Sequence, residues 1–234
     1  MLRRLQLALL VVVTALLAAC ASKPQLPVQL APEVLSSSSK ERVGVAATKV
    51  PKPALYLPGA DCLLCIIAAQ TMNAPLGKHV DTLTVDELPP LKEQIAAALR
   101  KKGVAVQVIP DEIDVTKLAD LPASETEPNR ARKDFAPLKQ KYGVDKLVVI
   151  QVNQVGIQRT YSAYIPTSDP KGVLRGVGYM VNLSRNSYDW YQPVDIQKSA
   201  DGAWDEPAKY PGLTNAYFQT LELARDSFLK PFSP

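Results

Sequence analysis

Between Lys146 and Lys198 the chain alternates long extended runs with short turn clusters, and this constrains the fold more than any other stretch. Lys146 to Ile165 is the longest extended signal, built on Leu147-Val148-Val149-Ile150. Pro166 to Gly172 is a turn cluster, Val173 to Leu183 returns, Ser184 to Ser187 turns again, and Tyr188 to Lys198 closes the set. Strands joined by such short turns pair antiparallel, which predicts a three-stranded meander. Pro193 has no N–H for a ladder, so the last strand belongs at an edge. Gly172, Gly176 and Gly178 in the middle strand mark bulges or close packing.

The preceding half reads as alternating strands and helices. Val43 to Ala47 suits a short edge strand, and Ala54 to Leu57, stopped by Pro58-Gly59, a first core strand. Asp61 is placed to cap a helix over Cys62–Met72. That helix is apolar nearly all round, so it must be buried or meet a partner or membrane, and burial is the expectation. Thr84 to Glu87 has capping-box spacing before a helix carrying Leu91, Ile95 and Leu99, with Gly103 as its stop. A strand over 104–109 ends at Pro110, and residues 111–133 read as loop. A helix over 134–142 stops at Gly143, and a final helix is capped by Thr214 and lined by Tyr217, Leu221, Ala224 and Phe228. Crossovers first and a meander later predict an α/β (α+β) fold, with a single mixed sheet, an antiparallel C-terminal meander and helices packed on it.

Chemistry is sparse. His79 is the only histidine, so a His-based triad would have to use it, and no Gly-x-Ser-x-Gly or His-Glu-x-x-His motif occurs. The sequence therefore predicts no enzyme, no cofactor and no metal site. Cys62 and Cys65 are the one reactive constellation. They suit a structural disulfide or buried thiols, a redox pair at a helix start, or two metal ligands joined by His79. Asp61 and the two intervening leucines disfavour a thiolate. Tyr188, Trp190, Tyr191, Trp204 and Tyr210 gather near the last strand, and aromatics are enriched at interfaces, so they form a candidate interaction surface.

The first twenty residues supply an address. Arg3 and Arg4 precede an apolar run from Leu5 to Leu17 that is closed by small residues, as in a secretory signal. Leu17-Ala18-Ala19-Cys20 resembles the lipobox of bacterial lipoproteins. The resemblance implies cleavage before Cys20, a diacylglycerol on its sulfur and an acyl chain such as palmitate on its amino group. Ala21 in place of Asp implies, by the same resemblance, sorting to the periplasm-facing leaflet of the outer membrane. Loss of Arg3 and Arg4 lowers the formal charge from +4 to +2, too little to predict nucleic-acid binding. The expected organisation is signal peptide 1–19, lipidated Cys20 with a flexible Pro/Ser-rich tether to 53, and a globular periplasmic domain over 54–234.

The element order, with the helix "Leu91…Ile95…Leu99…Gly103" and the segment Tyr142 to Val149, resembles a group of envelope proteins. It includes the amino-terminal domain of the periplasmic Tol protein, the lipoprotein activators of penicillin-binding proteins and the curli-channel lipoprotein. Cys62–Leu83 departs from that pattern. The implied function is a non-enzymatic binding or scaffolding component of an envelope complex, with other envelope proteins as partners. Two alternatives stay open: a homo-oligomeric subunit of an export apparatus, and a thiol–disulfide exchange protein using Cys62 and Cys65.

Overall fold

A computed structural model describes residues 24–35, 41–124, 126–206 and 209–233. The signal segment, Cys20 and residues 36–40 of the expected tether lie outside these. The strands of the main sheet are β1 (Arg42–Ala47), β2 (Ala54–Tyr56), β3 (Ala105–Glu112), β4 (Lys146–Gln158), β7 (Lys171–Asn182) and β8 (Ser187–Ser199). The sheet is mixed, in the order β3-β1-β4-β7-β8, with β2 also paired to β4. A two-stranded hairpin, β5 (Tyr161–Ser162) and β6 (Ile165–Pro166), sits in the β4–β7 connection. β1–β3, β1–β4 and β2–β4 are parallel, whereas β4–β7 and β7–β8 are antiparallel. The meander and the mixed sheet thus stand as expected.

Period-two alternation explains the layers. Val148 and Ile150 face one side of the sheet, beneath α3 (Leu91–Lys101) and α5 (Pro211–Leu229). Leu147 and Val149 face the other, against Ile109, Phe135 and Leu138 of the α4 (Ala136–Tyr142) region. A strand buried on both faces reads as a continuous apolar run, as β4 does. Gly172 lets α5 close on β7: an added Cβ would lie 2.8 Å from Tyr217 Cα and 2.9 Å from the Ala216 carbonyl oxygen.

Several boundaries differ from expectation. β1 is interior, not an edge strand, because it hydrogen-bonds to β3 on one side and β4 on the other. β2, expected as a core strand, is a half-buried segment on the far half of β4. The folded domain therefore begins before residue 54. Part of the expected tether also lies on it, since Val28 and Tyr191 exchange two backbone hydrogen bonds at 2.9 Å and Leu35 is buried. Pro110 does not stop β3, which runs on to Glu112, because β3 is an edge strand where a missing N–H is tolerated. No helix starts at the 84–87 capping box; α3 begins at Leu91 behind Pro90. The final helix begins at Pro211, so Thr214 lies inside its first turn and donates to the Tyr210 carbonyl at 2.9 Å. The 111–133 loop is held by Asn186, whose side chain accepts from Phe135 N at 2.8 Å and donates to Lys133 O at 2.9 Å.

Gly172→Val should cost about 1–3 kcal/mol in urea unfolding, the range for overpacking a close contact. Gly77→Ala, in a helix with its nearest neighbour 3.9 Å from the new Cβ, should instead be neutral or stabilising by up to about 1 kcal/mol.

Candidate functional site

The strand termini Gln158, Lys171 and Ser199 lie together at one end of the sheet, here called the upper end. At that end the β5–β6 hairpin joins β4 to β7, α1 (Leu63–Met72) packs on the hairpin, and α2 (Ala74–Val80) follows, with Leu76 and Val80 in the main core. Tyr161 N donates to Pro58 O, and Ala163 N to Gly59 O, so the hairpin is stitched to the loop that opens α1. Gly59 has φ +89° and an added Cβ would strike the Tyr161 carbonyl, which only glycine avoids.

α1 has its side chains the wrong way round for a soluble helix. Its inward face is small: Cys65 and Ala69 pack on Ala60 and Tyr161. Its large side chains point out, with Leu64 76% and Leu63 74% exposed, and Ile67 and Met72 about half exposed. The expectation that Cys62–Met72 is buried is therefore corrected. An apolar helix without an amphipathic pattern carries no information on which face turns inward, and here the small residues fit closest to the hairpin. Full burial of one such Leu, Ile or Met side chain is worth about 1.5–3 kcal/mol, which this face forgoes while it is exposed. From Cys62 to Gly77 there is no charged residue. Tyr164 and Ile165 at the hairpin tip are also exposed. A groove of about 500 Å³ runs between Leu55 and Leu57 on one side and Ile66 and Gln70 on the other.

The platform is rigidly held. Cys62 and Cys65 are disulfide-bonded, and the N-cap is Cys62 rather than Asp61: its sulfur accepts from Cys65 N at 3.0 Å. At the other end of α1, buried Asn73 donates to Ala69 O (2.7 Å) and to the Tyr161 hydroxyl (2.5 Å). Its carbonyl oxygen accepts from Arg159 Nη1 at 3.2 Å. Arg159 also donates to Ser168 O at 3.2 Å and lies 5.0 Å from the Trp204 ring. Trp204 stacks on Tyr210, which contacts His79, and His79 Nε2 hydrogen-bonds to Thr214 Oγ1 at 2.8 Å. One polar and aromatic chain thus runs from α1 to the start of α5. Asn73 and Arg159 carry no sequence signal of their own; they follow a helix and a strand whose only signal is apolar content.

The expected aromatic surface divides. Trp190 is core, packed edge-on against Phe232 with Gly178 beneath its ring, and is no interface residue. Tyr188 and Tyr191 lie on the opposite face with Tyr179, and burial, then Tyr191, pushes the Tyr188 hydroxyl up to about 12. Trp204 belongs to the Arg159 chain. His79 and the two cysteines do not converge as a metal site: His79 is engaged by Thr214, and the sulfurs bond each other. Among the described residues no helix is long and apolar enough to cross a membrane.

No protein-family model and no curated protein matches the chain. Among solved structures it is similar to the PelC dodecamer from Paraburkholderia phytofirmans, at 12% identity over 92% of this chain and 96% of that one, with a TM-score of 0.34. It is similar to lipoprotein GNA1162 from Neisseria meningitidis, at 12% identity over 78% and 96%, TM-score 0.34. It is also similar to the hypothetical protein CT253 from Chlamydia trachomatis, at 9% identity over 82% and 95%, TM-score 0.36. Likenesses this low establish neither ancestry nor function.

Asn73→Ala should destabilise the protein by about 1–3 kcal/mol, the cost of leaving buried polar partners unpaired, read by urea unfolding. Partial burial lowers the His79 pKa from 6.5, so its NMR titration midpoint should fall below that value. The sign follows: the unfolded chain takes up the proton first, so stability should be full above about pH 6.5 and decline as pH falls through the folded midpoint. His79→Gln should flatten that part of the pH profile.

Proposed function

We propose that this chain is a non-enzymatic, lipid-anchored envelope protein that acts by binding. Cys20 attaches it to the periplasm-facing leaflet of the outer membrane, and the domain serves as a binding or scaffolding component there. The observation that carries this reading is the outward apolar face of α1. A folded domain that turns Leu63, Leu64 and Ile67 to solvent, and braces them with a disulfide and the Asn73–Arg159 network, presents a built contact surface. The non-enzymatic reading is supported by what the reactive side chains already do: His79 is spent on Thr214 and Tyr210, and Cys62 on capping α1.

Expression in a diderm bacterium followed by membrane fractionation and intact-mass measurement tests the anchor. The expected product begins at Cys20, carries acyl chains and sediments with outer membranes, and Cys20→Ser abolishes the acylation. A soluble, unacylated product would contradict the reading. Cross-linking in intact cells tests the scaffold role, which predicts discrete adducts with envelope proteins and is contradicted by a partner-free chain.

A further inference from the structure

The direction of the N-terminal segment fixes which end of the domain its anchor leaves from. Val28 pairs antiparallel with Tyr191, and β8 runs from Ser187 at the lower end to Ser199 at the upper end. Further along, Lys146 Nζ lies 3.5 Å from Val34 O and 2.9 Å from a Glu41 carboxylate oxygen, and Lys146 is at the lower end. The chain therefore descends from Val28 towards Lys146, and the described residues 24–27 lie on the upper side of Val28. Cys20 is eight residues from Val28, which permits at most about 26–29 Å of extended chain. From Tyr191 to Ser199 is also eight residues, or about 26 Å of strand. The reach from Val28 to Cys20 thus matches the distance to the upper end, where α1 and the hairpin sit.

The exposed apolar side chains concentrate at that same end. Leu63, Leu64, Ile66, Ile67 and Met72 belong to α1, and Tyr164 and Ile165 to the hairpin. Leu26, also exposed, lies on the rising segment itself. Leu223 alone of the large exposed apolar residues described falls outside this group.

We propose that the upper end of the domain lies in the interfacial layer of the bilayer that holds Cys20. Leu63, Leu64 and Ile67 enter the acyl region, and Tyr164 stands at headgroup level, where an amphipathic ring is favoured. This rests on the lipid attachment proposed above. The dimensions favour lipid over a protein partner at this face, so the binding surface of α1 is a membrane contact and the envelope-protein contacts of the scaffold role fall on other faces of the domain. α1 and the hairpin together expose seven large apolar side chains, well short of the roughly 20–30 residues a side that a stable protein interface uses. An anchored domain needs no interface of that size, because the acyl chains supply affinity and the helix has only to set orientation. The absence of charge from Cys62 to Gly77 fits a surface that sinks past the headgroups.

The test uses the full lipidated protein in vesicles of phosphatidylethanolamine and phosphatidylglycerol doped with a phospholipid bearing a diazirine on its acyl chain. After illumination, adducts are mapped by mass spectrometry, and intact mass of the same sample reports acylation of Cys20. The expected result is labelling of 62–72 and 161–166 several-fold above the lower-end turn at 183–187, as for side chains about 5–10 Å into the interface. Leu64→Glu with Ile67→Glu, both already exposed and so compatible with folding, should remove labelling from both segments. An acylated protein with these segments unlabelled would overturn the inference and leave the anchor standing. The same result with 62–72 protected by a second copy or another protein overturns it too, in favour of a protein interface. A chain without acyl chains would overturn both.

Discussion

Everything in this fold leans on β4. Its edges are occupied by β1 and then β2 on one side and by β7 along nearly its whole length on the other. Its faces are covered as well, by α3 and α5 above Val148 and Ile150, and by the α4 region against Leu147 and Val149. A strand satisfied in both directions is where non-local contacts accumulate, and it carries Arg159 out of its upper end at a fixed height. The position of the Asn73–Arg159–Tyr161 network, and so of α1, follows from β4.

That dependence explains how an unfavourable surface persists. α1 by itself is a short helix with no charged or amphipathic character, and helices of this length are marginal in water. It is held by a cross-link at its first turn, by Asn73 at its last, and by close contact of Cys65 and Ala69 with the hairpin. With its small residues used for packing, the large ones have nowhere to go but outward. The arrangement separates two roles that usually coincide, since the face that stabilises the helix is not the face with the most apolar area.

How much of this could be read from the chain depends on whether the deciding contact is local. The meander was legible because the turn clusters at 166–172 and 184–187 fix pairing between neighbours in sequence. The helices α3 and α5 were legible from their 3.6-residue spacing. β1 was misplaced because Val-Gly-Val-Ala-Ala looks too weak for an interior strand, yet small residues are what that position accepts: a Cβ on Gly44 would sit 3.0 Å from Leu147 Cδ1. The part of the expected tether that packs on the domain is hidden from the sequence for a similar reason. Proline and serine content describes the chain, whereas the Val28–Tyr191 pairing depends on a β8 edge more than 160 residues away. Cys62 and Cys65 were recognisable as a constellation, but the outward turn of α1 was not, because a helix apolar on every side has no directional pattern.

The arrangement we propose is a domain held against its membrane by geometry as well as by lipid. Neutron reflectometry on the lipidated protein in a supported bilayer measures that directly, as the separation between headgroups and protein density. The account predicts protein density continuous with the headgroup layer. A water-filled gap of about 20 Å or more, as a free flexible tether of some twenty residues would give, would contradict it.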